Sequence, residues 1–446
     1  MKIAVFAVAA IAAAVLIVGQ PVPSGAVTGL TVGSASPVTP FTPLAQPGDR
    51  PAVAFNGTSF LTAWSSAGSA SSAQFSPSGT AQSASSFAPA YLDDSGLEQD
   101  YTLDGLAAAG SRYGAAVTRV IGGPFGGGVD SYVQVLGTDH TFQPPAGCAG
   151  IDTIVVAGAS TTFLAVWTDE CTGDLDAQVL DRNASPIGPT RVLAAGAGSG
   201  SFQAAGHGHQ FLVAWQTDTG DPTAKLDVRG IRVADTGSIV GHAFPVAAHA
   251  QDQFSPSVSA GGSGYLVTYA DRRNSTDPDI YATRVGTNGA VTDPNGIAVS
   301  KAAGSQNHPW AAPLGTNGWQ VVWSDRRSGV GADLYGTVLS SAGVVASPAG
   351  RALVTAAGDQ TAPVVAALPT GSVVVWADGP THRSMLQRLS AGGAITGSPA
   401  AASITNAPQT SLATASGGGV ELAVWIEQRT SQRLLRASRP LRWARD

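Results

Sequence analysis

The chain of 446 residues carries a formal net charge of −6, with only 12% charged residues and 55 glycines. Such a balance argues against nucleic acid as a partner, and the glycine content with few charges suits short strands joined by tight turns rather than long amphipathic helices. Six arginines (Arg429, Arg433, Arg436, Arg439, Arg442 and Arg445) crowd the C-terminus, so the rest of the chain is more acidic than the total suggests.

At the N-terminus, Lys2 precedes an apolar stretch over residues 3–18, short for a membrane span. Helix-breaking Pro21 and Pro23 follow, then the small-residue triplet Ser24-Gly25-Ala26. This pattern predicts a secretory signal peptide over residues 1–26 and a single exported domain over residues 27–446, secreted or periplasmic. No later apolar run approaches 18 residues, so no membrane span is expected in the mature chain.

From there a hydrophobic strand, usually centred on an aromatic residue, returns every 48 to 54 residues, at Trp64, Val117, Trp167, Trp215, Tyr269, Trp323, Trp376 and Trp425. Several short strands per unit and a period near 50 predict a β-propeller of eight four-stranded blades. In the fifth unit the strands are expected at residues 256–260, 265–270, 280–285 and near 296–300, each with one buried face, and with a hairpin turn at 286–289. The second unit keeps the strand Arg112-Tyr-Gly-Ala-Ala-Val-Thr118 without the tryptophan, which leaves seven blades plus an irregular insert as the alternative. The last unit has little chain left for a fourth strand, whereas residues 29–33 form a spare one before the first unit. An N-terminal strand completing the last blade would close the ring and remove exposed edges.

Units five and six show the repeat best. Gly264-Tyr-Leu-Val-Thr-Tyr-Ala-Asp-Arg-Arg273 leads to Asp279-Ile-Tyr281, and Gly318-Trp-Gln-Val-Val-Trp-Ser-Asp-Arg-Arg327 leads to Asp333-Leu-Tyr335. This form resembles the tandem repeats of large secreted bacterial β-propeller proteins, most of them without an assigned activity. The chain lacks the Asp-box of sialidase-like propellers and the Trp-Asp signature of WD40 blades, so neither function carries over.

An acid stands two positions after the strand aromatic at Asp169, Asp271, Asp325, Asp378 and Glu427. Its recurrence suits a turn former that accepts backbone N–H bonds, since catalytic acids break repeat symmetry. Arg272-Arg273 and Arg326-Arg327 occur in two neighbouring units only. They make a positive patch for a carboxylate or sulfate, or else pair with Asp277, Asp279 and Asp333. Sixteen residues before the aromatic an amide recurs, at Gln253, Asn307, Gln360 and Gln409, in the loop entering the first strand. These amides are expected on one face with Asp271 and Asp325, around the channel mouth, either meeting ligand hydroxyls or bridging adjacent blades.

His207 and His209 have no identifiable third ligand, so no metal or cofactor is expected. Cys148 and Cys171 are equidistant from a turn centred between residues 159 and 160, which predicts a disulfide across the third unit's first hairpin. The leading functional expectation is a non-catalytic, monomeric binding scaffold for an extracellular glycan or protein. A propeller glycoside hydrolase or polysaccharide lyase with its site at the channel mouth is the alternative. A structural envelope protein is the third.

Overall fold

The computed structural model describes residues 36–37 and most of residues 52–437. Residues 1–35, 38–51 and 438–446 and several connections, among them 89–98, 122–127, 146–150, 218–224 and 402–408, lie outside the described residues. The expected signal peptide therefore lies outside them too. Among the described residues there is no helix, hence none long and apolar enough to cross a membrane.

The described strands form eight four-stranded antiparallel sheets, the blades of a β-propeller. Seven are simple meanders of consecutive strands. The fifth comprises Gln253–Gly261, Gly264–Asp271, Asp279–Gly286 and Ile297–Ser300. The sixth comprises Gln306–Pro313, Gly318–Asp325, Asp333–Ser340 and Arg351–Val354. Blade two is a regular sheet as well, with Val117 fully buried in its second strand Arg112–Ile121, so the reading of an irregular insert is set aside. The first strand of each blade lies beside the first strand of the next, and Gln409–Gly417 of blade eight lies beside Ala52–Phe55 of blade one.

Blade eight takes its fourth strand from the N-terminal side. Ser36 and Pro37 pair with Ala437 and Arg436 on the outer strand Gln432–Ala437. The segment that makes this pairing lies a few residues beyond residues 29–33, which are outside the described residues.

The expectation of one buried face per strand needs correction. Every residue of Gly264–Asp271 and of Gly318–Asp325 is buried, because each sheet is sandwiched between its two neighbours. Leu212 and Ala214 of blade four pack with Tyr265, Val267 and Tyr269 of blade five. The opposite face of blade five offers Leu266, Ile280 and Ala282 to Ala311, Val321 and Trp323 of blade six. A strand covered on both sides reads as a continuous apolar run, which is why Val-Val-Trp and Leu-Val-Thr-Tyr lack clean alternation. Burying each such side chain contributes about 1.5–3 kcal/mol.

Polar clips lock neighbouring blades at their outer turns. The Arg232 guanidinium donates to the Thr287 carbonyl oxygen of the next blade at 2.8 Å, and Arg284 donates to that of Ser341 at 2.6 Å. Both arginines lie close under the hairpin turn that follows the third strand. A Cβ on Gly289 would come 2.5 Å from Arg232 Nε, and one on Gly343 would come 2.8 Å from the Arg284 guanidinium. Both glycines also hold positive φ, of 81° and 86°, so the position demands glycine twice over.

Removing residues 27–37 strips the pairing partner from Gln432–Ala437 and leaves a free sheet edge. The expected result is a lower Tm with concentration-dependent aggregation in light scattering. A truncated protein as stable and monodisperse as the parent would show that this pairing contributes nothing.

Candidate functional site

The loops between second and third strands, and those entering each first strand, lie at one end of the sheets. There the sequence-predicted residues meet in pairs. Gln253 is the cross-strand partner of Asp271, Gln360 of Asp378, and Gln409 of Glu427. In blade six the partner of Asp325 is Gln306, not Asn307. The turn joining the first two strands of blade six is one residue longer than that of blade five, so a fixed count of sixteen from the aromatic lands one residue late. Asn307 instead donates from Nδ2 to Ser305 Oγ at 2.7 Å.

The amide position also lies within the first strand rather than in the loop before it. In blade five a bulge takes up Ser255 and Pro256, after which pairing resumes at Phe254 and Gln253. Gln253, Gln306 and Gln360 are fully buried. The Gln253 side chain accepts from the His249 N–H at 2.8 Å, and its amide nitrogen donates to the Gln251 carbonyl and, at 3.4 Å, to Asp271 Oδ1. Bridging between blades is done by their main chain. Gln253 N donates to Leu226 O at 2.7 Å, Gln306 N to Pro278 O at 2.9 Å and Gln360 N to Ala332 O at 2.6 Å, each acceptor lying just before the preceding blade's third strand.

The acids are equally enclosed. Asp271 and Asp325 have no solvent exposure. Asp271 accepts from the Arg273 backbone N–H at 2.7 Å and from its guanidinium Nε at 2.8 Å, with a second guanidinium contact through Nη2. Asp325 receives the same set from Arg327, at 3.0, 2.9 and 2.5 Å, and also accepts from Trp323 Nε1 at 2.9 Å. Each arginine lies over the tyrosine of the third strand, Tyr281 at 4.0 Å and Tyr335 at 3.8 Å from the ring centroid. Each then donates to a carbonyl before the fourth strand, Asn295 O at 2.6 Å and Ala349 O at 2.7 Å. The arginine thus ties three strands of its own blade together, and its partner is the preceding Asp rather than Asp277, Asp279 or Asp333.

The first arginine of each pair is placed differently. Arg272 is 43% exposed, donates to Asp252 Oδ2 at 3.1 Å and lies 4.9 Å over the Phe254 ring. Arg326 is 55% exposed and stands 3.5 Å from Asp359. Two residues the sequence reading missed share this end of blade six, exposed His308 and Trp310, the latter 38% exposed on the first strand. Ser255 and His308 occupy equivalent bulge positions, and both adopt positive φ, 52° and 53°. Such backbone costs about 1–3 kcal/mol per residue and persists where the surrounding structure imposes it. A bulged inner strand leaves no signature in periodicity, which is why these two escaped notice.

Blade three holds a separate acidic group. Asp169 closes the turn after the second strand by accepting from Cys171 N at 2.8 Å, the turn-former role expected of it. The hairpin of this blade turns through residues 159–162, with Gly158 opposite Phe163, so its centre lies one residue later than expected. The equidistance of the two cysteines from the turn is thereby lost as a derivation of their pairing. Cys148 lies outside the described residues. Among the described residues no cysteine is free and no cluster of His, Cys, Asp or Glu is arranged to hold a metal.

No family model matches the chain, and no curated protein matches it. Among solved structures it is similar to the β-propeller domain of the Trilobed protease from Pyrococcus furiosus, at 7% identity and TM-score 0.47, covering 78% of this chain and 99% of that one. It is similar to the Penicillium chrysogenum alpha-L-arabinanase complexed with arabinobiose, at 13% identity and TM-score 0.40, covering 62% and 89%. A puromycin-hydrolyzing peptidase of Mycobacterium tuberculosis is similar at 12% identity and TM-score 0.47, with 90% of this chain but only 62% of that one covered.

The blade-three acids give a pH-dependent test. Burial, with Asp174 and Asp169 adding repulsion, pushes the Asp176 carboxyl up from 3.8 to about 6. A raised folded value means that the proton favours the folded state. The group's contribution is full below about 3.8 and is lost as pH rises through about 6. That difference corresponds to about 3 kcal/mol, which solvent screening reduces to about 1–2 kcal/mol. Asp176→Asn is therefore expected to stabilise the protein by about that amount at pH 7–8 in denaturant unfolding, with the gain vanishing near pH 4. A gain independent of pH would show that charge is not its cause.

Proposed function

We propose that this protein is an exported, non-catalytic propeller that binds an extracellular glycan or protein at the sheet ends bearing the Asp-Arg turns. One observation carries the reading. The recurring carboxylates there, Asp271 and Asp325, are fully buried and consumed by Arg273 and Arg327, whereas Arg272, Arg326, His308 and Trp310 present their side chains outward. Chemistry needs a carboxylate that reaches substrate, while recognition needs exposed guanidinium and aromatic groups beside one another. Because Asp252 and Asp359 balance the exposed arginines, the surface suits a polar, near-neutral partner better than a polyanion.

Export rests on the leader-like pattern of residues 1–26, and with it goes the proposed Cys148–Cys171 disulfide. Closing about two dozen residues would stabilise the chain by roughly 3 kcal/mol on the loop-entropy model. Intact mass after alkylation without reductant is expected to show neither thiol modified. Two modified thiols in the native exported protein would sink the pairing.

For the binding surface, the mature chain is to be screened on a glycan array and against purified extracellular polysaccharides. Arg272→Ala combined with Arg326→Ala, and separately Trp310→Ala, should each weaken a wild-type hit at least tenfold without lowering Tm. Hits unaffected by all three changes would place binding elsewhere. Release of reducing ends by the wild-type protein would favour the hydrolase reading instead.

A further inference from the structure

The loop that enters blade five, residues 248–252, carries a histidine without a counterpart in the next two blades. His249 stands four residues before the buried Gln253, where blade six has Ala302 before Gln306 and blade seven has Ala356 before Gln360. Its backbone is held on both sides. His249 N donates to Gln253 Oε1 at 2.8 Å, and its carbonyl accepts from Lys225 Nζ at 2.5 Å. The same loop then supplies Asp252. Its Oδ1 accepts from Leu226 N of blade four at 3.1 Å, its carbonyl from Arg272 N at 2.9 Å, and its Oδ2 from the Arg272 guanidinium at 3.1 Å. One short segment thus carries contacts across the seam and the carboxylate that balances exposed Arg272.

The imidazole lies at that seam. The residue as a whole is partly buried, but its Nε2 is enclosed and meets no hydrogen-bond partner among the described residues. The charged groups facing it are Arg273 and Asp271 of blade five, with Lys225 and Asp227 from the approach to the third strand of blade four. Arg273 is paired with Asp271, and Lys225 with Asp227 at 3.1 Å, so these charges largely cancel at the ring and burial decides which form it takes. Without the proton the enclosed nitrogen is a bare lone pair. With it, the nitrogen becomes an N–H that nothing receives, on a ring whose charge is withdrawn from water. Burial, helped by the Arg273 charge, therefore holds the His249 pKa below its ordinary 6.5. A lowered folded value means that the closed loop is at full strength above about 6.5 and weakens as pH falls below it.

We propose that His249 is an acid-operated latch, whose ring on protonation leaves the seam between blades four and five so that residues 248–252 open and release Asp252 from Leu226 and Arg272. The corresponding loops of blades six and seven stay closed, because Ala302 and Ala356 do not titrate. Opening leaves Arg272 without its acid, which bears on the surface proposed above. The latch itself does not rest on that reading.

The test is amide hydrogen exchange of the mature protein, read by mass spectrometry at about pH 7.5 and about pH 5 and corrected for the intrinsic exchange rate. Protection of residues 248–253 is expected to fall about fivefold on acidification, while that of residues 301–306 in blade six does not change. In His249→Phe, which keeps a ring, and in His249→Gln, which keeps a neutral polar group should the former fail to fold, the two segments are expected to behave alike. The proposal is overturned if residues 248–253 of the wild-type protein lose no more protection than residues 301–306, or if their extra loss persists in the folded variants.

Discussion

Each blade of this protein has two apolar faces, and that single constraint governs the rest of the structure. A four-stranded sheet whose central strands are apolar on both sides has no stable existence in water by itself. Its only solution is to lie between two others, as blade five lies between Leu212 and Ala214 on one side and Val321 and Trp323 on the other. Repetition follows from this, because every blade poses the same requirement to its neighbour. So does the pairing at the end of the series, where Ser36 and Pro37 cover the outer edge of blade eight.

Sandwiching moves the polar problem to the ends of the strands. Backbone groups there leave the sheet next to apolar packing and need partners. The Asp-Arg turn answers within a blade, since one buried carboxylate and one guanidinium join the second strand to the approaches of the third and fourth. The buried glutamine answers at the seam, where its N–H reaches the preceding blade while its side chain holds the entering loop. Arg232 and Arg284 do the same at the far end. The buried glutamines and the Asp271–Arg273 and Asp325–Arg327 pairs are therefore fasteners of the fold.

The proposed binding surface uses positions where the repeat is broken or exposed. The bulge on the inner strand forces Ser255 and His308 into left-handed backbone, and blade six adds an exposed tryptophan where blade five has buried Ser257. The exposed tryptophan is an asymmetry laid on a symmetric frame, the pattern expected of sites grafted on a scaffold.

Much of the frame was legible in the chain itself. The spacing from Trp64 to Trp425 gave the number of blades, since each second strand carries one such position, aromatic in seven blades and Val117 in blade two, and glycine and Asn-Gly turns marked the hairpins. The Asp two residues after the aromatic was readable as a turn former because a short carboxylate there satisfies local N–H groups whatever its surroundings. Other features depended on tertiary contact. Asn307 was taken for Gln306 because one extra turn residue shifts a count without altering any motif, and only cross-strand register reveals it. The turn between Gly158 and Phe163 moved by one residue for the same reason, as adjacent Gly, Ala, Ser and Thr are interchangeable turn formers until the strands pair. Whether Arg272 faces solvent while Arg273 folds back, partly buried, against Asp271 is decided by packing of the tyrosine beneath it, since local sequence treats the two arginines alike.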